Sequence, residues 1–479
     1  MNRDVLIIGA GRILQIVLSL VAVRIMTTLL PAAEVGNYYL VFTIVSFFSM
    51  ALLSPVGVYQ NRKTHRWADE QVIYNRLFIF NGYLTSVCLV ALPTVYCLHC
   101  FIGFGAAIPL SHLMLFIMIG LYCLTWNQVI IPLLNLLHHR VSFVVFSLLT
   151  LALGLSLSVL FALRISTTAL VWLSGQAIAQ ALVTVVAFLY CRRVVAGAFS
   201  VTEIMSAMKG DSFRNVLTFT LPLAATALLM WLQNQSYRMI VEQRVGLEFL
   251  GMIGLGLGIA SNIAAALESV VQQVCLPVFY QEINTTDHET RTLAWNRMAQ
   301  LTLPLYISLA LFVSCLSPFL VDLLVHGKFA GTWLFVAVGA WIELCRMTTG
   351  LLATVAHAEM QTRHLIKSYL VGGSLALAGV WVASGQPQAR LLIPLALLVS
   401  GSAATWVMYH DMKKLIRTKV GIRGIIRSAI LSLPFLLAIP LGMHSHGLME
   451  SFIVLAVAGS YFLLIQYRIS SPYLRRRTS

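Results

Sequence analysis

Fourteen apolar runs occupy residues 5–30, 35–58, 74–98, 110–137, 141–163, 168–190, 215–240, 248–276, 298–321, 332–356, 365–384, 390–410, 428–443 and 449–467. A helix crosses a hydrocarbon core with about 20 apolar residues, so these runs have the length of membrane spans. Inside lipid the backbone must be satisfied within helices or a closed barrel. Period-2 alternation is absent, which excludes a barrel and leaves an all-α polytopic membrane protein of about 14 transmembrane helices. The hydrophobic fraction of 59% and the mean hydropathy of +0.86 agree, because a soluble domain is apolar over about half of its residues.

The runs follow a duplicated plan. Tyr59-Gln60 precedes Asn75-Arg76 by the same interval as Tyr280-Gln281 precedes Asn296-Arg297, and the two signatures lie 221 residues apart. Arg24 and Glu34 are ten apart, as are Arg238 and Glu248, each pair closing one run and opening the next. Two six-helix copies with an even number of crossings begin on the same side of the membrane. They are parallel repeats related by an axis along the membrane normal, with a cavity expected between the halves. The expected domains are an N-terminal six-helix lobe over 1–205, a C-terminal six-helix lobe over 206–412, and a segment over 413–479. That last segment holds a basic interfacial stretch, helices 13 and 14 and a basic tail. The charges of 411–427 recur every three or four residues, which predicts a short helix lying on the inner surface.

Basic residues set the orientation. If the first span runs outward, the inner connections hold Arg62, Lys63, Arg66, Arg140, Arg192, Arg193, Lys209, Arg214, Arg291, Lys413, Lys414, Arg417, Lys419, Arg423, Arg427, Arg475, Arg476 and Arg477. The outer ones hold little more than Arg164, Arg244, Lys328 and Arg390. This bias predicts cytoplasmic termini. It also explains the net charge of +15 by anionic membrane lipids as partners, with no nucleic acid required. The first run lacks a small-x-small cleavage site and is expected to stay as the first span.

Several motifs carry no chemistry. Gly9 and Gly11 imitate a dinucleotide-binding turn, but Leu14 stands at the third glycine position and the run continues as a span. These glycines, with Gly254, Gly256 and Gly258, are expected at close helix contacts. Most of the eight cysteines sit in apolar runs as small hydrophobes, and Cys97-Leu98-His99-Cys100 is a single CxxC without a second ligand pair. No metal or other cofactor is expected. His138, His139, His444 and His446 are scattered, no catalytic set emerges, and the outer loops are short for a membrane enzyme. Pro132, Pro222, Pro277 and Pro304 interrupt four spans and are expected to kink them.

An ionisable side chain at the centre of a membrane helix costs roughly 2.5 to 3.5 kcal/mol on insertion scales, so it normally meets a partner or a wet cavity. The cations are Arg12, Arg24, Arg238 and Arg346; the amides are Gln15, Asn127, Gln128, Gln233, Asn234 and Gln235. Together they suit a phosphate or pyrophosphate held by guanidinium forks, with amides for sugar hydroxyls. A structural reading stands beside this one. Arg24 and Arg238 lie near helix ends, where they can snorkel or pair with Glu34 and Glu248, and Glu343 and Arg346 are three apart on one helix face. Glu268 has no partner within a helical turn, which makes it, with Glu343, the candidate carboxylate for ion coupling or for a structural hydrogen bond.

Gly11-Arg12, Arg24-Ile25-Met26, Leu30-Pro31 and Glu34-Val35-Gly36-Asn37-Tyr38 together resemble the first two helices of Wzx-type polysaccharide (O-antigen) flippases of the multidrug/oligosaccharidyl-lipid/polysaccharide (MOP) exporter superfamily. Leu221-Pro222, Arg238 and Val325-His326-Gly327-Lys328 are similar to that family's second half, and the likeness runs over roughly the first 410 residues. Tyr237 stands where relatives often carry an acid, and Gly36 has no glycine at the matching place of the second copy. The resemblance implies a MATE-like V-shaped bundle of two six-helix lobes plus two C-terminal helices. It also implies alternating-access transfer of undecaprenyl-pyrophosphate-linked oligosaccharide from the cytoplasmic to the outer leaflet of the bacterial inner membrane, for O-antigen, capsule or exopolysaccharide. A polysaccharide polymerase and a chain-length regulator are the implied protein partners. The resemblance leaves proton, sodium and uncoupled transport open. A multidrug exporter of the same superfamily would favour acidic residues in its cavity, and a membrane enzyme of polysaccharide assembly would need the catalytic set that is missing.

Overall fold

The computed structural model describes residues 3–208, 211–283, 288–359, 361, 363–418, 421–442 and 447–475. Lys209, Lys419, His444, His446, Arg476 and Arg477 lie outside the described residues. All regular structure among the described residues is helical. Among the described residues fourteen helices are long and apolar enough to cross a membrane: α1 (Gly9–Leu29), α2 (Ala32–Asp69), α3 (Ile73–Ile102), α4 (Leu110–Leu136), α5 (Arg140–Arg164), α6 (Ala169–Val194), α7 (Arg214–Arg244), α8 (Leu247–Glu282), α9 (His288–Cys315), α10 (Gly327–Ala358), α11 (Arg363–Ser384), α12 (Ala389–Leu415), α13 (Ile422–Gly442) and α14 (Leu448–Ser471). The expected all-α architecture of fourteen spans is therefore observed.

Three elements differ from expectation in informative ways. α2 extends well past its apolar run, passing through a π-helical turn at Ser49–Leu53 into a polar helix, Ser54–Asp69. Pro55 is tolerated there because the first turn of a helix has no internal use for the missing N–H. α7 breaks into Asp211–Asn234 and Tyr237–Arg244, with a turn at Gln235-Ser236. No separate surface helix forms between 411 and 427 among the described residues. Asp411–Leu415 complete α12, and α13 opens at Ile422 behind Gly421, because the spaced charges continue the two neighbouring helices instead of forming one of their own.

The chain divides into two compact units, one of residues 1–231 with 246–251, the other of residues 232–245 with 252–479. In the first, the starts of α3 and α5 and the ends of α4 and α6 enclose a core of Ile73, Tyr74, Leu77, Ile130, Leu134, Phe143, Val183 and Cys191. α1 lies along α5, where a side chain on Gly11 would overlap Val144. The start of α2 crosses the start of α8 so closely that a Cβ on Gly36 would strike the Leu247 carbonyl and one on Gly251 the Ala32 carbonyl. Gly251 thus supplies the second glycine, one residue later relative to Glu248 than Gly36 is relative to Glu34. In the second unit α13 and α14 dock on α9 and on the short helix after it, Ser317–Leu324, through Cys315, Phe319, Phe435 and Ile465, and Ser428 donates to the Pro304 carbonyl at 2.6 Å.

The repeated Asn has the same task in each unit. Asn75 at the start of α3 is buried; its Oδ1 accepts from the Ser200 amide at 2.9 Å, in the connection that follows α6. Asn296, buried in α9, donates from Nδ2 to the Arg417 carbonyl at 3.1 Å, just beyond α12. Each copy therefore ties its sixth helix's exit to its third helix with one amide. The signature marks a structural clasp.

Candidate functional site

The second unit brings three of the expected intramembrane charges together. Arg346 of α10 donates from Nη2 to Glu268 of α8 at 2.8 Å and from Nε to Glu343, one turn back on its own helix, at 2.6 Å. The side chains are 31%, 16% and 12% exposed respectively, so this is a largely buried cluster, with two carboxylates on one guanidinium. Gln272 donates to the other Glu268 oxygen at 3.4 Å. Tyr306 of α9 and Tyr369 of α11 lie in the field of Glu268 and Arg346, and Gly350 leaves room beside the Glu268 carboxylate. Glu268 finds a charge partner after all, 78 residues along the chain, where no reading of a single helix could place one.

This arrangement changes what Arg346 can do. With all three groups ionised the cluster has one net negative charge, so Arg346 is held by carboxylates and is not a cation presented to an anionic substrate. Tyr306 and Tyr369, which sequence reasoning missed, add hydroxyls from two further helices. The signal available was a tyrosine inside an otherwise apolar run.

The other residues divide between packing and presentation. Arg12 and Gln15 are brought together, Arg12 Nη1 donating to Gln15 Oε1 at 3.1 Å, with the guanidinium 5.7 Å from the centre of the Phe143 ring and exposed. Arg24 is partly exposed on α1. Glu34 is occupied elsewhere: Oε2 accepts the Ala169 amide at 2.7 Å, capping the start of α6 where helix N–H groups lack internal partners, and Oε1 accepts from Asn37 at 3.1 Å. Asn127 is turned inward, donating to Thr184 Oγ1 at 3.1 Å and Thr150 Oγ1 at 3.3 Å, so it joins α4, α5 and α6. Gln128 is exposed.

At the α7 break Arg238 is only 7% exposed, its guanidinium 5.7 Å from the Tyr237 ring centre. Tyr237, at the position where an acid was expected, serves as an aromatic platform. Beside it, Asn234 is half-buried, and Gln233 Oε1 and Gln235 Oε1 are buried without a donor among the described residues, Gln233 packing on Gly372 of α11. Gln233 and Gln235 therefore each carry a buried amide oxygen with unused acceptor capacity.

The family model described as "Polysaccharide biosynthesis protein" matches residues 25–332. The chain belongs to that family. No curated protein matches its sequence. Among solved structures it is similar to the lipid II flippase MurJ in an inward closed conformation, with a TM-score of 0.61 and 11% identity over 98% of this chain and 99% of that one. It is similar also to a multidrug resistance MATE family transporter of the MOP superfamily, with a TM-score of 0.59 and 12% identity over 88% and 95%. A mutant of the Vibrio cholerae MATE transporter VcmN follows at 0.55 and 12% over 87% and 96%. At such identities the likeness concerns the fold, which is that of MOP transporters. Family and fold agree with the resemblance to Wzx-type flippases drawn from the sequence.

Proposed function

We propose that this polysaccharide biosynthesis protein is a flippase, which moves undecaprenyl-pyrophosphate-linked oligosaccharide from the cytoplasmic to the outer leaflet by alternating access. The observation that carries the reading is the family match over residues 25–332 on a transporter fold. Each unit supplies chemistry for such a head group. The first offers Arg12, Gln15 and Arg24; the second offers Arg238 with the amides of Asn234, Gln233 and Gln235. Guanidinium forks bind pyrophosphate oxygens bidentately, and amide oxygens accept from sugar hydroxyls. Glu268 and Glu343, held by Arg346, are the place for proton or sodium coupling. Bacterial inner-membrane residence, cytoplasmic termini, contact with anionic lipids, and a polymerase with a chain-length regulator as partners complete the proposal. A MATE-like cation exporter is the second reading, favoured only by the acidic excess at Arg346. A membrane enzyme of polysaccharide assembly is the reading of another class, disfavoured because no catalytic set emerges from the sequence.

The test is binding by purified full-length protein of undecaprenyl-pyrophosphate-linked oligosaccharide, undecaprenyl phosphate and a cationic dye, in wild type and Arg24→Ala with Arg238→Ala. Preference for the pyrophosphate lipid that the double variant loses supports the flippase. Dye binding that survives the change, with no preference for the lipid, transfers the protein to the exporters.

A further inference from the structure

Five side chains of the first unit form a ladder that the reading above leaves unused. The Arg76 guanidinium lies 5.7 Å from the Trp67 ring centre, the Trp67 and Tyr59 rings are 6.2 Å apart, Tyr59 and Phe219 are 5.7 Å apart, and Arg62 lies 5.9 Å from the Phe219 centre. Three aromatic rings are thus flanked by two guanidinium groups. Tyr59, Arg62 and Trp67 come from the polar extension of α2, Arg76 from the first turn of α3, and Phe219 from α7. Arg66 alone among the arginines here is neutralised, by Glu70 at 2.7 Å. Among the described residues neither Arg62 nor Arg76 meets a carboxylate, and the buried Arg76 Nε has no acceptor.

A guanidinium stacked on a ring keeps its N–H donors pointing outward in its own plane, free for phosphate oxygens. Aromatic faces offer apolar platforms to the C–H side of a sugar. The ladder lies at the end of the spans that the basic residues assign to the cytoplasm. Its part on α2 and α3 is also peculiar to the first copy: at the same offset of 221 residues, Arg62 and Trp67 become Ile283 and His288, and Arg297, the counterpart of Arg76, faces Glu282 at 3.9 Å. We propose that this ladder is the cytoplasmic docking surface for the sugar-pyrophosphate head group of the lipid-linked substrate, occupied before the lipid is turned over. The proposal rests on the flippase reading.

The experiment measures equilibrium binding of undecaprenyl pyrophosphate, undecaprenyl-pyrophosphoryl N-acetylglucosamine and phosphatidylglycerol to purified full-length protein. Arg62→Gln with Arg76→Gln is expected to weaken both pyrophosphate lipids by about tenfold or more, as loss of charge-assisted hydrogen bonds does, and to leave phosphatidylglycerol unchanged. Phe219→Leu keeps both charges and is expected to weaken only the sugar-bearing lipid. Should the double variant not fold, Arg76→Lys, which keeps the charge and loses the fork, is expected to weaken both pyrophosphate lipids in the same direction. Wild-type protein that ignores pyrophosphate lipids overturns the flippase reading and the ladder with it. Wild-type binding that all the variants retain overturns the ladder alone, and a parallel loss of phosphatidylglycerol overturns it in favour of a general anionic-lipid contact.

Discussion

The two copies of the repeat keep the same clasp and differ in where they keep charge. Asn75 and Asn296 each tie the exit of a sixth helix to a third helix, so this contact is common to both halves. Around it the first copy carries exposed or ring-stacked arginines, Arg12, Arg62 and Arg76, with carboxylates directed elsewhere. Glu34, the acid nearest in sequence to Arg24, caps α6. The second copy instead encloses its charges: Glu268, Arg346 and Glu343 are mutually paired inside the helices, and Arg291 grips Glu359 with two hydrogen bonds of 2.8 and 3.1 Å. The duplicated scaffold has therefore diverged in charge, the ring-stacked pair Arg62 and Arg76 belonging to the first copy and the buried ion cluster to the second.

The largest effect is expected at the cluster. Arg346→Leu leaves two buried carboxylates facing each other, and removing one partner of a buried ion pair typically costs about 3 to 5 kcal/mol. Thermal unfolding in detergent is expected to drop sharply, and adding Glu268→Gln and Glu343→Gln to the same chain is expected to recover most of the loss. If the triple variant is no more stable than the single one, the cluster is not held together by charge and the contrast between the copies fails at its strongest point. Next comes the helix crossing of the first unit. Gly251→Ala puts a methyl group against the Ala32 carbonyl, and forced overpacking costs typically 1 to 3 kcal/mol, about as much again being expected of Gly36→Ala. A lower unfolding temperature in both variants is the outcome to look for; an unchanged one in either breaks the reciprocity of the contact.

These features were not equally legible in the chain. Span number and the doubling were plain because both are properties of apolar run length and residue interval, which survive without any tertiary information. Arg12 with Gln15, and Glu343 with Arg346, were legible as neighbours for the same reason, each pair lying within one helical turn. Glu268 was legible as a charge in the wrong solvent, but its partner was not, because the choice of α10 over other helices is made by packing. Asn127 illustrates the opposite error source: an amide in a span looks like a ligand for substrate, yet it satisfies itself on Thr150 and Thr184 of neighbouring helices. Gly251 was overlooked because the crossing tolerates a one-residue shift of register, and a strict offset between copies cannot.

The conserved architecture of the clasp allows a graded comparison. Asn75 holds the Ser200 amide at 2.9 Å and Glu203 Oε2 at 3.4 Å, and Asn296 holds the Arg417 carbonyl at 3.1 Å. Losing one partner of a buried hydrogen bond costs about 1 to 3 kcal/mol, so Asn75→Leu and Asn296→Leu are each expected to destabilise by about that much, both by less than Arg346→Leu. A loss at one position alone would mean that the clasp is not common to the two copies. The smallest effect belongs to Arg297, whose contact with Glu282 at 3.9 Å is exposed on both sides. Exposed ion pairs contribute roughly 0 to 1 kcal/mol, so Arg297→Gln is expected to leave unfolding nearly unchanged. It should also leave binding of undecaprenyl pyrophosphate unchanged, whereas Arg76→Gln at the matching place weakens it. An equal effect on binding at both positions would show that the arginine of the signature works alike in the two copies, and the specialisation argued above would then have to rest on the buried cluster alone.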